Sequence, residues 1–542
     1  MRLLRVKKKV SVGKWLLLFT GFVLVTSCGY FSRFGSMGVT AQGSLTASES
    51  RGKQIYIRGT SPSGKSVLAY FGDSSLELPG SAMPCANCHG LDGHGKPEGG
   101  ITPTNLAWDA LTKPYGVTHP SGRSHPPYTE RAMALAITRG TDPGGNKLLS
   151  VMPRYTLSVE DMADLVAYLK LVGKDLDPGI TEDKIVLGTA GPTKGRLADI
   201  SQASRAITTA FFDELNSQGG IYNRRFEVKF IETAETPAAT RAAMDRWLRD
   251  DEIFALSGIV VAGAEKDLLP LMADRGVPLI GPLTLYPETG GQLNRQVFYL
   301  LSGVEGQARA FVEFAASKAE LKNQSIAVVF TQGESSSRVL HAISEQSTKD
   351  GFAKPRAFDY LAGQFDPAFT ARQLKAGNCS LVIFLSGGKD VLSFMAEAVK
   401  IDWYPSTFVV GAGNEIFGAP LGFSEKIFLS FPTSLSDQSP EGVREFSALA
   451  EKYKLPKQHL AAQISAFSSA KILAEAMRRV GKDLSREKLI QALEGLYEYQ
   501  TGLTPAITYG PNRRIGAMGA YIIKVDLKEK QFVPAGGWIS IN

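Results

Sequence analysis

Cys85-Ala86-Asn87-Cys88-His89 constrains this chain more than any other stretch, because two thiols two residues apart with a histidine directly after them form a spacing that few chemistries need. Each thiol can add to one vinyl group of a haem, and the histidine that follows then lies beneath the porphyrin with an imidazole nitrogen facing the iron. A redox CxxC explains the cysteines but not the histidine, and a zinc site normally needs a second pair of ligands. Cys28 and Cys379 are the only other cysteines. The motif predicts one covalently bound haem c, attached through Cys85 and Cys88, with His89 as the proximal iron ligand.

Haem attachment of this kind requires export, and the N-terminus supplies the signal for it. Arg2, Arg5, Lys7, Lys8, Lys9 and Lys14 form a basic segment, and Trp15 to Val25 is an apolar run too short to span a bilayer comfortably. Leu24-Val25-Thr26-Ser27-Cys28 resembles the bacterial lipobox, which implies a signal peptide over residues 1–27 and a lipid anchor on Cys28. An incidental cysteine with ordinary cleavage nearby is the alternative. The expected location is the periplasm or cell envelope, with the membrane reached through the anchor.

Six basic residues in the first 27 account for all but one unit of the net charge of +7. The basic balance is therefore a property of the targeting segment, and nucleic acid is not an expected partner. At 542 residues the chain needs about two to four cores. It divides into a Gly/Ser/Thr-containing tether (28–47), a unit around the haem motif (48–173), a charged Pro-Gly linker (174–183), and a long region (184–542) in which apolar strands alternate with amphipathic helices.

In the first unit, Val151-Met152-Pro153 precedes a helix that starts at Ser158, with Asp161 placed as its capping partner and Met162, Leu165, Val166 and Leu169 on one face. This loop and helix, ending Tyr168-Leu169-Lys170, together with Gly52 and Tyr56 on an earlier helix, resemble an all-α class I cytochrome c. The resemblance implies that Met152 is the sixth iron ligand. His94, His119, His125 and Met133 are the alternatives. Residues 61–83 depart from the compact family pattern as an insertion ahead of the haem motif, either a cover or docking surface or a tolerated loop.

The long region opens with strand 184–190, Gly191-Pro192 and a helix over about 199–215, and repeats the strand-helix unit through strand 278–280 before the rhythm restarts at Ser325. Parallel strands joined by crossover helices are the natural solution. Gly188-Thr189-Ala190-Gly191-Pro192, Gly219-Gly220-Ile221 and Gly276 to Pro282 resemble the type I periplasmic binding proteins of the branched-chain amino acid receptor kind. That likeness implies an α/β fold of two doubly wound lobes with a small polar solute held in the cleft between them. Thr284, Tyr286, Asn414 and Glu415 are the candidate contacts. Val260-Val261-Ala262-Gly263 stands where amino-acid-binding members usually carry serine or threonine.

P-loop, dinucleotide-binding and nucleophile-elbow motifs are absent from the sequence, so an electron carrier and ligand-binding protein is expected rather than an enzyme. The leading expectation is periplasmic electron transfer to a redox partner protein, modulated or localised by the solute. Two alternatives are an ABC-transporter-type receptor, working with a permease and carrying a redox-sensing cytochrome, and the electron-accepting subunit of a periplasmic dehydrogenase.

Overall fold

Gly52 sets the crossing on which the N-terminal domain closes. In the computed structural model, which describes residues 45–541 apart from 72–75, 96, 98, 120, 121, 235, 251, 261, 262, 289–292, 323, 411 and 412, helix α1 (Ala47–Arg58) starts with a reciprocal capping box between Thr46 and Glu49. Further along it, a Cβ on Gly52 would lie 2.0 Å from the carbonyl oxygen of Asp164. The two backbones meet because this residue has no side chain. Helices α2 (Cys85–His89), α3 (Trp108–Leu111), α4 (Glu130–Arg139) and α5 (Val159–Leu169) follow. Ile55, Tyr56, Met133, Leu165, Tyr168 and Leu169 form the core where α1, α4 and α5 meet. The expected signal peptide, Cys28 and most of the tether lie outside the described residues.

The insertion between α1 and the haem motif contributes strands. β1 (Leu68–Tyr70) pairs antiparallel with β2 (Glu77–Pro79), and the hairpin β3 (Val117–Thr118) and β4 (Ser124–His125) comes later in the chain. β5 (Arg154–Thr156) pairs with the other edge of β1. The inserted segment therefore buttresses the strand that leaves the Met152 loop.

Strands β6 (Lys184–Gly191), β7 (Arg225–Glu232), β8 (Ala255–Ser257), β9 (Leu279–Ile280) and β10 (Val297–Leu301) alternate with α6 (Ala198–Ser217), α7 (Pro237–Asp250) and α8 (Glu265–Arg275). Every residue of β6 after Lys184 is buried, as befits a strand covered on both faces. The chain then crosses into a second lobe: α9 (Gly303–Ser317), β11 (Ser325–Thr331), α10 (Glu334–Lys349), β12 (Arg356–Tyr360), α11 (Pro367–Ala376), β13 (Cys379–Phe384), α12 (Gly388–Lys400), β14 (Ser406–Val410) and β15 (Ile427–Phe431). It returns through α13 (Pro440–Lys452), α14 (Leu460–Val480), α15 (Arg486–Glu494) and β16 (Ile515–Ala517), and ends in β17 (Gly519–Asp526) and β18 (Gln531–Ser540).

Lobe 1 is a parallel sheet in the order β16-β10-β9-β8-β6-β7. Lobe 2 runs β12-β11-β13-β14-β15-β17-β18, parallel as far as β15, with β17 antiparallel to both of its neighbours. Each sheet carries an apolar cluster on both faces, which is the doubly wound arrangement that the strand-helix rhythm predicts. The antiparallel pair at the end is the part that this rhythm does not announce, because a hairpin closing a parallel sheet needs no crossover helix. No described helix is long and apolar enough to cross a membrane.

The linker between the domains is ordered. Lys53 of α1 pairs with Asp175 and Asp177, each at 2.7 Å. The Val186 N–H donates to the Gly179 carbonyl at 2.7 Å, so the segment folds back on the first strand of lobe 1.

Candidate functional site

One helical turn, α2, brings Cys85, Cys88 and His89 to a common face, since residues three and four apart on a helix are neighbours. Both cysteines are unpaired and half-buried. Burial pushes the Cys85 thiol up to about 12, the reverse of the shift that activates a redox CxxC. Among the described residues there is no cluster of three or more His, Cys, Asp or Glu placed to hold a metal ion.

His89 is 9% exposed, and its Nδ1 lies 2.9 Å from the carbonyl oxygen of Thr104. A carbonyl can only accept, so Nδ1 carries the proton and Nε2 keeps its lone pair. Burial holds the imidazole below the ordinary histidine range, with the Thr104 carbonyl opposing that shift. A neutral, oriented imidazole is the form that binds iron. The donor set of two free thiols and one such imidazole fits haem c. Thr104 is a functional residue that the motif does not reveal. The Tyr56 hydroxyl donates to the Gly90 carbonyl at 2.7 Å, fastening α1 to the residue after His89.

Met152 is half-buried on the loop between α4 and β5. Arg154 pins this loop, its Nη1 donating to the Met152 carbonyl at 2.5 Å and its Nη2 to the Leu148 carbonyl at 3.0 Å. Gly140, with φ of +60°, makes room for that guanidinium: a Cβ there would come within 1.9 Å of the Arg154 Nε. The Tyr155 hydroxyl donates to the Met83 carbonyl at 2.6 Å, tying the loop to the residue two before Cys85. The alternatives to Met152 are placed differently. His119 and His125 face each other with their Nε2 atoms 3.1 Å apart. His94 is exposed beside Asp92, and Met133 is packed in the domain core.

The two lobes meet across the C-terminal ends of their strands. Lys266 of α8 pairs with Glu334 of α10. Arg338 of α10 reaches Glu288 at 2.5 Å and the Pro287 carbonyl at 3.0 Å on the loop after β9, and Glu305 of α9 at 2.5 Å. Thr284 and Tyr286 stand on the lobe 1 side of this cleft. The Thr284 hydroxyl donates to Glu265 at 2.6 Å, and Glu265 also accepts the Gly263 N–H at 2.8 Å. Tyr286 is half-buried against the lobe 2 core, and burial raises its phenol. Asn414 and Glu415 lie exposed on the lobe 2 side, where Glu415 accepts the Gly413 N–H at 3.0 Å. The hydroxyl of Thr193, on the loop after β6, likewise donates to a carboxylate of the chain itself, Glu232.

Residues 184–531 match the family of periplasmic binding proteins, and residues 81–172 match cytochrome c. Over 324 residues the chain is 22% identical to the leucine-, isoleucine-, valine-, threonine-, and alanine-binding protein of Pseudomonas aeruginosa, covering 59% of this chain and 85% of that protein. The solved structure of a branched-chain amino acid ABC transporter from Thermus thermophilus with bound valine aligns with a TM-score of 0.54 at 16% identity, over 66% of this chain and 97% of that one. A fatty acid ABC transporter substrate-binding protein from Thermomonospora curvata aligns with a TM-score of 0.53 at 15% identity, over 68% and 96%. Structural similarity at these identities carries the fold and leaves the ligand open.

Proposed function

The chain belongs to the periplasmic binding protein family and carries a cytochrome c domain ahead of its clamshell, and from that premise we propose a cell-envelope electron carrier whose single haem c is modulated or localised by a small solute held between the lobes. A haem bound here supplies reversible one-electron exchange. Cys85 and Cys88 would anchor it, and His89, through a neutral Nε2, and Met152, through its thioether, would hold the iron. An imidazole and a thioether as the two protein ligands would raise the potential of a bound haem relative to two imidazoles, which suits an electron carrier. The observation that carries this reading is the hydrogen bond from His89 Nδ1 to the Thr104 carbonyl, which fixes the ligating tautomer.

Modulation by solute is supported by the junction between the domains. Lys53 and Asp177 tie the haem domain to lobe 1, so closure would move lobe 2 against a body that includes the haem. Aliphatic amino acids, named for the Pseudomonas relative, are the first probes. The hydroxyl of Thr284, a candidate contact, is already engaged by Glu265, and Val260-Val261-Ala262-Gly263 stands where amino-acid-binding members usually carry serine or threonine, which favours a small polar solute of another kind. Calorimetric titration followed by the haem potential at saturation tests both halves. A solute that binds and leaves potential and electron-transfer rate unchanged would refute modulation.

A second reading is a receptor that delivers solute to a membrane permease, with the cytochrome as a redox sensor. The family match over residues 184–531 favours it. Solute uptake that survives His89→Ala would support this reading over the first. In either case Cys28 is the proposed lipid anchor.

A further inference from the structure

The hydrogen-bond donors of the cleft between the lobes are directed at carboxylates of the chain itself. A hydroxyl has one proton to donate; that of Thr284 goes to Glu265 at 2.6 Å, while its oxygen accepts the Tyr286 N–H at 3.0 Å. The other oxygen of Glu265 takes the Gly263 N–H at 2.8 Å. One lobe 1 carboxylate thus engages both donors that a solute carboxylate would need. Lobe 2 repeats the arrangement. Glu415 accepts the Gly413 N–H at 3.0 Å, and a Cβ on Gly388, the first residue of α12, would lie 2.8 Å from Glu415 Cγ. A helix start favours an anion, and the start of α12 already has one from the chain. On the loop after β6 the Thr193 hydroxyl is taken by Glu232.

Glu265 and Glu415 lack a counter-ion. Lys266 pairs with Glu334, and Arg338 with Glu288 and Glu305, so the cations that cross the cleft are engaged by other carboxylates. Among the described residues neither Glu265 nor Glu415 has a cationic partner. A carboxylate offers roughly four lone-pair sites, and Glu265 uses one on each oxygen. Burial raises the Tyr286 phenol, Arg338 opposes the rise, and Glu265 and Glu305 add to it, so an aromatic ring stands within reach of these carboxylates. Such a ring attracts a cation over its face. Lys194 and Arg196, exposed on the loop after β6, are the groups left to face a solute carboxylate.

We propose that the cleft takes a small organic ammonium ion with no carboxylate of its own, held by Glu265 from lobe 1 and Glu415 from lobe 2 beside the ring of Tyr286. The proposal rests on the cleft being the solute site and names the class of solute. An ammonium group donates and cannot accept, which matches free lone pairs on carboxylates that have no cation of their own, and bonds of this charged kind are the strong ones. An amino acid brings the same ammonium group together with a carboxylate. That carboxylate finds Thr284 and Gly263 already engaged and meets Glu265 as a like charge.

The test is calorimetric titration of the full-length haem protein with two amines, isobutylamine and putrescine, and with valine, of which isobutylamine is the form without a carboxylate. At least one amine is expected to bind more tightly than valine, and to lose about tenfold or more in affinity in Glu265→Gln and in Glu415→Gln. Glu265→Ala gives a readout that misfolding cannot imitate: it frees the Thr284 hydroxyl and the Gly263 N–H, and valine binding is expected to strengthen. Failure of both amines to bind, amine affinity unchanged in both Gln variants, or valine binding more tightly than either amine and weakened in Lys194→Ala would overturn the proposal. Valine binding without amine binding would do so while leaving the cleft as the solute site. Amine binding that leaves the haem potential and electron-transfer rate unchanged would instead overturn modulation and support the class of solute.

Discussion

Asp177 Oδ2 accepts the backbone N–H of Arg486 at 2.5 Å, joining the linker to the first turn of α15, while Asp177 Oδ1 accepts from Lys53 Nζ at 2.7 Å. The Arg486 guanidinium in turn donates to the carbonyls of Ile253 at 2.6 Å and Phe254 at 3.0 Å. One carboxylate therefore binds α1 of the haem domain to a helix and a strand entrance of lobe 1. Lys53 keeps Asp175 when Asp177 is removed, so the loss falls on the Arg486 N–H left without its acceptor, which costs about 1–3 kcal/mol. Asp177→Ala is expected to lower stability by that amount and to expose residues 174–183 to limited proteolysis. A linker as resistant as the wild type would show that the domains are held by other contacts.

The pH dependence of this junction follows from the same group. Burial would raise the Asp177 carboxyl, and Lys53 and Arg486 overcome it, so the folded value lies below the ordinary one. A depressed carboxyl contributes stability that is present above the unfolded aspartate value of about 3.9 and is lost as pH falls toward the folded value. Protease resistance of the linker should hold at mildly acidic pH and decline only below about pH 4. Release of the domains near neutrality would contradict this sign.

Gly52→Ala tests the helix crossing. The added Cβ would sit 2.0 Å from the Asp164 carbonyl, and forcing α1 away from α5 is expected to cost about 1–3 kcal/mol. Thermal denaturation of the haem domain signal reads this directly. Unchanged stability would mean the helices do not cross at this residue.

The two ion pairs across the cleft should differ in weight. Lys266 and Glu334 are both more than half exposed, and pairs of that kind contribute about 0–1 kcal/mol. Arg338 is only 25% exposed and bridges two carboxylates from different elements. Arg338→Ala is expected to shift solution scattering toward a more open clamshell, with Lys266→Ala close to wild type. The reverse order would place the latch elsewhere.

What was legible in the sequence was local. The CANCH spacing reads as a haem site because all its residues fall on one turn, and strands buried on both faces announce a parallel sheet without help from distant residues. Met152 stands out because a Met-Pro loop precedes a helix capped by Ser158, whose hydroxyl accepts the Asp161 N–H. The rest depends on contacts between remote positions. Thr104 gains its role only when its carbonyl reaches His89, and Asp177 only when α15 arrives 309 residues later. The inserted segment 61–83 gives no sign of its use until Leu68–Tyr70 pairs with Arg154–Thr156 beside the Met152 loop. Asn414 and Glu415 follow a strand in the sequence, and the structure puts both on the exposed lobe 2 side of the cleft.

The most direct test of the account is the visible spectrum of the purified protein, oxidised and reduced, repeated for Met152→Ala. The expected result is a low-spin haem c with the long-wavelength methionine-iron band, lost in the variant while the covalent haem remains. A high-spin spectrum, or a bis-histidine spectrum that ignores Met152→Ala, would contradict the assignment of an electron-carrying His89–Met152 site.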